Sequence, residues 1–415
     1  MKCAISLALL VLSAQAQTSQ QPGSREPLTL ERALELAERS NPQLKVAQTT
    51  VEGAAAGMIT ARQRPNPEVY ASFGRQRITQ PSAVPGQLGI VSFAQPLEWG
   101  SVRRARMQVA ELSRDSSEFS LTEARLTLRA AVKQAFFEAL RREAEIGVAT
   151  ENLRSLEELR RRIEVQVRVG EAARLELIRA DAEVSTARVQ LRSAELRRAT
   201  AIAGLRAAIG APMGELAPQG SLESKAAVPA LSALRDTIRS QHPAILQAEA
   251  EVRRAEARLG LERELRRPQP TVQTDFDRQP DSQGFRVGVA IPIPILNRRQ
   301  GEIGEAAAAL RQAHNIVELR KLEITASLER AYGVYEVADQ QVAAIEAGAL
   351  RPAEAALQAS EAAFRFGERG ILEVLDAQRV LRGVRSDYLN AQYDRQAALI
   401  ELERLQAVAL GGNKP

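Results

Sequence analysis

Two stretches of this chain carry the same long apolar rhythm, and each opens just after a glycine. From Gly367, the run Gly367-Glu-Arg-Gly-Ile-Leu-Glu-Val-Leu-Asp-Ala-Gln-Arg379 leads into apolar positions spaced alternately by three and four: Val374, Ala377, Leu381, Val384, Tyr388, Ala391, Arg395, Ala398, Leu402 and Leu405. From Gly170, the same spacing gives Leu177, Ala180, Val184, Ala187, Leu191, Ala194, Arg198, Ala201, Leu205 and Ala208. This spacing is a coiled-coil seam. Glycine tolerates the left-handed backbone that ends a helix, so Gly170 and Gly367 read as the tips of two long antiparallel helical hairpins. The copies match position for position. Even the polar interruption is shared, with Arg198 answering Arg395. A chain built this way is an internal duplication.

The remaining landmarks repeat in the same order. Leu28 begins a helical pattern with Thr29 as a candidate cap, and Asn41-Pro42 interrupts it. The next helix stops at Pro65-Asn-Pro67. Extended segments follow at Glu68–Ile78 and Gln87–Gln95, split by the turn-rich Gln80–Gly86. Helix then runs from Val102 to the first tip. In the second half, His242-Pro243 answers Asn41-Pro42, and Pro268-Gln-Pro270 answers Pro65-Asn-Pro67. Thr271–Phe276 and Gly284–Ile291 are the extended segments, and helix continues from there to Gly367. The expected layout is a signal peptide over residues 1–16, a flexible leader over 17–27, a first repeat over 28–210, a linker over 211–229, a second repeat over 230–410 and a tail over 411–415.

The run from Val102 to Val169 would extend roughly 100 Å as one helix, far beyond what a compact domain needs. Each extended segment has the length of a tilted membrane-spanning strand. Phe285, Val287, Val289 and Ile291 fall on one face, and Arg286, Gly288 and Ala290 on the other. This is the alternation of a strand between lipid and a polar space. Tyr70, Phe73, Phe93, Trp99, Phe276 and Phe285 lie in or beside these segments, and aromatics favour bilayer interfaces. Four strands leave two raw edges, which hydrocarbon does not tolerate. Several copies must therefore share one barrel; three would supply about twelve strands, a size suited to a channel. The fold class expected is mainly α with a small β part, the hairpins forming an α-barrel tunnel and four strands per protomer entering a shared transmembrane β-barrel.

Composition narrows the function. The formal charge of +5 is carried by arginines mixed with glutamates along helices, which marks solvated helix faces and not a nucleic-acid surface. Lys2, the apolar run Ala4–Leu12 and Ala14-Gln-Ala16 have the form of a secretory signal. The one cysteine, Cys3, falls inside it, so neither a disulfide nor a lipid-anchor cysteine is expected in the mature chain. No nucleophile elbow, P-loop or dinucleotide fingerprint occurs. His242 and His314 stand alone, so no catalytic, cofactor or metal site is expected.

These residues resemble the TolC family of outer-membrane efflux proteins. The likeness rests on Leu28-Thr-Leu-Glu-Arg-Ala-Leu with Asn41-Pro42, on the duplication, and on Gly367 leading into Glu373-Val-Leu-Asp376-Ala-Gln. Arg64-Pro-Asn-Pro-Glu68, Gln95-Pro-Leu-Glu-Trp-Gly100 and Ile291-Pro-Ile-Pro-Ile-Leu-Asn-Arg-Arg-Gln-Gly301 look most like its CzcC-like heavy-metal branch. The resemblance implies a homotrimer in outer-membrane lipid, docked to a periplasmic adaptor and an inner-membrane pump of the resistance-nodulation-division type. It also implies that Glu373 and Asp376 line the periplasmic gate, although one of the family's acids is more often Asp than Glu. Glu171, Glu176 and Asp181 of the first hairpin read as surface acids. Alternative readings are a drug-efflux or type I secretion channel, or, in another class, a periplasmic adaptor or a structural coiled-coil protein. Adaptors carry one hairpin where this chain carries two.

Overall fold

The computed structural model describes residues 26–77, 84–211, 214–223 and 227–407. The expected signal peptide, most of the leader and the tail lie outside the described residues. The first repeat comprises β1 (Glu26–Leu28), α1 (Leu30–Ser40), α2 (Pro42–Arg62), β2 (Glu68–Gln76), β3 (Gly86–Pro96), α3 (Gly100–Arg168) and α4 (Arg174–Ile209). After β4 (Leu216–Pro218) in the connection between them, the second comprises α5 (Leu231–Gln241), α6 (Pro243–Glu264), β5 (Thr271–Arg278), β6 (Gln283–Ala290), α7 (Gln300–Ile345), α8 (Arg351–Arg365) and α9 (Ile371–Gln406).

Local chemistry sets the boundaries. The Thr29 side chain accepts the Arg32 N–H at 3.3 Å, so α1 starts where the sequence places its cap. Asn41 ends α1 and caps α2 through its side-chain oxygen, which accepts the Gln43 N–H at 2.8 Å; Pro42 fills the first turn. Gly170 and Gly367 adopt φ of 84° and 72°. That left-handed geometry closes α3 and α8 and lets α4 and α9 turn back.

The 69 residues of α3 form one unbroken helix. Its counterpart is interrupted. Between α7 and α8 lies a π-helical turn, Glu346–Leu350, with Pro352 two residues beyond it in the first turn of α8. Val132 and Leu328 are buried equivalents below this point, and Gly170 and Gly367 are equivalent tips above it. The second hairpin therefore holds one residue more between those landmarks, and the wide turn absorbs it. Proline has no N–H for an ordinary helical bond, so the α ladder yields beside Pro352.

Three apolar clusters hold the rods together. Leu156, Leu159 and Ile163 of α3, Val184 and Ala187 of α4, and Val374 and Leu375 of α9 pack near the tips. Phe136, Val132, Ile202, Leu205 and Ile400 form a mid-body core, joined by Leu216. Leu328, Ile245, Leu234 and Leu402 form its second-repeat counterpart. At the seam's polar position, Arg198 is buried and pairs with Glu143 and Glu215, while Arg395 reaches Asp339 at 3.4 Å. The expected linker is partly structured. Its Leu216–Pro218 pairs in parallel with Glu26–Leu28, and Leu216 is fully buried.

Candidate functional site

β2, β3, β5 and β6 form one antiparallel sheet in that order. The register fixes which side chains share a face, since residues paired across an antiparallel ladder point the same way. Val69 pairs with Phe93, Val91 with Phe276, and Phe276 with Phe285. One face therefore carries Val69, Phe73, Val91, Phe93, Phe276, Phe285, Val287 and Val289. All are exposed, Phe73 to 79% and Phe285 to 69%. Phe73 lies over Gly89, its cross-strand partner, 3.4 Å from where a Cβ there would sit. The opposite face carries Glu68, Ser72, Ser92, Gln273, Asp275, Asp277 and Arg286, with Arg286 3.3 Å from Asp277.

Four of the six aromatics named from sequence thus lie on the apolar face. Tyr70 is on the polar face, opposite Ser92. Trp99 lies outside the strands at the start of α3, where its indole N–H donates to the Pro268 carbonyl at 2.7 Å. Sequence inspection missed Asp275 and Asp277, because the β5 register that turns them to the polar face follows from cross-strand pairing. Among the described residues, β2 and β6 each pair with a single strand neighbour, so the sheet is open at both edges. No described helix is long and apolar enough to cross a membrane.

At the far end, Glu373 and Asp376 occupy the opening turns of α9, three and six residues beyond Gly370. Both are exposed, at 45% and 68% of the side chain. Glu373 is 3.9 Å from Arg369 and Asp376 is 2.9 Å from Arg379. Arg379 also donates to Glu183 of α4 at 2.6 Å, and this bond raises its pKa above the usual guanidinium value. The second hairpin's acids are thus partly neutralised within their own chain. In the first hairpin, Asp181 accepts from Arg160 at 2.6 Å, a surface pair between α3 and α4. His242 is buried and serves as a helix cap.

An open sheet with one lipid-like face, continuous with duplicated rods, defines a subunit of a barrel-and-tunnel channel. The chain belongs to the outer membrane efflux protein family, whose model matches residues 33–211 and 234–408, one match per repeat. Among curated relatives, it is 30% identical to the cobalt-zinc-cadmium resistance protein CzcC of Cupriavidus metallidurans, over 91% of this chain and 90% of that one. It is 25% identical to the pyoverdine export outer membrane protein OpmQ of Pseudomonas aeruginosa, over 92% and 85% respectively. Among solved structures, CusC superposes with a TM-score of 0.79 at 20% identity, over 91% of both chains. That likeness supports the fold, with its α-barrel tunnel architecture.

Proposed function

We propose that this outer-membrane efflux channel works as a homotrimer and exports heavy-metal cations passed to it by a periplasmic adaptor and an inner-membrane pump of the resistance-nodulation-division type. The observation that carries the channel reading is the sheet: four strands with one exposed apolar face and two open edges, stable in a bilayer only as part of a closed barrel. The metal cargo rests on the relationship to CzcC across nearly the whole chain. The duct itself needs no tight metal site, because an exit path works best when release is fast. Deleting the gene should lower tolerance to zinc, cobalt and cadmium, with restoration by a plasmid copy. Unchanged metal tolerance, with lost siderophore or drug export, would reassign the cargo and leave the channel in place.

Glu373 and Asp376 form the gate in this reading. Three copies would bring six carboxylates around one axis, and rings of acid attract cations. Arg369 and Arg379 set how much of that charge is free. Replacing both acids by alanine should change cation selectivity or leak in planar-bilayer recordings. A double variant with unaltered conductance and selectivity removes these residues from the gate.

A further inference from the structure

On the apolar face, β2 and β5 carry the same series of side chains. Val69, Ala71, Phe73 and Arg75 follow one another along β2, and Val272, Thr274, Phe276 and Arg278 along β5. In both strands the apolar run ends on phenylalanine and then arginine. We propose that Arg75 and Arg278 form a basic collar that binds the phosphate groups of a phosphorylated glycolipid in the outer leaflet of the membrane. This rests on the channel reading above and adds a lipid partner to it.

The register places the two arginines at one height. Arg75 opposes Gln87 and Arg278 opposes Gly89, so they flank β3 on the same face. Two strand spacings and one two-residue step separate their Cα atoms, roughly 12 Å. The strand bases are staggered in the same sense. Glu68 opposes Ala94, Ala94 opposes Gln273, and β5 begins two residues before that, at Thr271. Strands tilted in a barrel are offset in this way. Arg75 and Arg278 each lie seven residues beyond the start of their strand, so they reach the same level. Between them β3 presents Gln87 and Gly89, and the Phe73 ring lies over that glycine. Gln283 of β6, opposite Arg278, adds an amide beside the collar.

The charge on this face has no answer within the chain. Both arginines are exposed, and neither side chain makes an ion pair or hydrogen bond among the described residues. The acids of β5, Asp275 and Asp277, turn to the opposite face, where Asp277 lies 3.3 Å from Arg286. In the described parts of the two strand turns the one acid is Asp281, set against the further cation Arg77. At its other end, next to the helices, the apolar face finishes on Val69, Gln95, Val272 and Val289, without charge. The collar therefore marks the end of the sheet away from the helices, which in the channel reading is the outer leaflet. Arginine on a lipid face costs little only where it reaches the headgroup layer. There its planar guanidinium suits phosphate, which accepts two parallel N–H bonds. Phe73 and Phe276, one step below, are the residues expected at the boundary with the acyl chains. A separation near 12 Å fits a glycolipid with a phosphate at each end of a disaccharide better than a phospholipid with a single phosphate.

The test uses trimer purified from outer membranes in detergent and stripped of bound lipid, with EDTA present so that no divalent cation bridges the charges. Fluorescent bis-phosphorylated lipid A is titrated into it. Arg75→Gln or Arg278→Gln should each weaken binding about fivefold, and the two together about 25-fold. Arg75→Lys with Arg278→Lys should keep most of the affinity. Arg286→Gln, on the opposite face, should leave it unchanged. Lipid A lacking its phosphates should bind the wild type about 25-fold more weakly, a comparison that needs no variant. Equal affinity in the double glutamine variant, or an equal loss in Arg286→Gln, would overturn the site. So would displacement of lipid A by phosphatidylglycerol or inorganic phosphate at matched concentration, since either would mean that one phosphate suffices. If the site fails in a protein that still forms conducting, heat-modifiable trimers, the channel reading stands. A wild type that forms neither trimer nor channel removes both.

Discussion

Asn41 and His242 hold the same post in the two repeats with different chemistry. Asn41 caps α2 and donates to the Ala208 carbonyl, close against Gly210, whose φ is 75°. His242 caps α6 by accepting the Ala244 N–H on Nδ1 at 3.2 Å, and only an unprotonated nitrogen can accept. Burial, aided by the nearby Arg404 charge, pushes its pKa down to about 4. The unfolded imidazole titrates near its ordinary 6.5. Between those values the unfolded chain binds the proton and the folded chain does not, so stability is fully present above pH 6.5 and falls as pH drops towards 4. The loss from this residue is about 3 kcal/mol. His242→Asn, which copies the first repeat, should keep the cap and flatten the drop in melting temperature between pH 7 and pH 4.5. An equal drop in the variant would place the acid sensitivity elsewhere. Asn41-Pro42 and His242-Pro243 were readable as helix starts because capping is local. The burial that matters for His242 was not, since it comes from packing beside α9.

The hairpins differ as elements in one place. α3 runs unbroken, whereas its counterpart divides at Glu346–Leu350. The sequence predicts one helix to Gly367, and this is where the prediction falls short. Pro352 is visible in the sequence, but the extra residue shows only when buried positions on both sides are aligned. The π turn keeps Leu328 and Val342 below it, and Ala353 above it, on the packed side together. Deleting Gly348 alone would restore the register of α3 but set Pro352 inside an ordinary helix, at a cost of about 3 kcal/mol. Deleting Gly348 with Pro352→Ala should recover most of that loss. Melting temperatures of the deletion and of the combined variant decide it; equal destabilisation would mean that the wide turn does more than house the added residue. The seam itself was legible throughout, because the three-four rhythm reports directly on which side of a helix is covered.

Across the whole molecule, strand alternation ties the sequence to its membrane setting. Val287 and Gly288 are neighbours in β6 on opposite faces, and the same substitution at each separates lipid from lumen. Arginine at Val287 would enter hydrocarbon at a cost of about 2–4 kcal/mol per subunit near mid-bilayer. Arginine at Gly288 would face the polar side, where no atom lies within 4 Å of an added Cβ. Val287→Arg is therefore expected to reduce heat-modifiable trimer in outer-membrane fractions, while Gly288→Arg assembles normally and lowers cation conductance. Both failing to assemble would deny the sheet its two-sided character; both assembling would deny it a lipid face. The apolar face could be read from β6 alone. The place of Tyr70 could not, because it depends on the register of β2 against β3, which the long first loop leaves open in sequence. Among the described residues the sheet does not close on itself: β2 and β6 each leave an incomplete ladder at a free edge, and no pattern within one strand shows what pairs there.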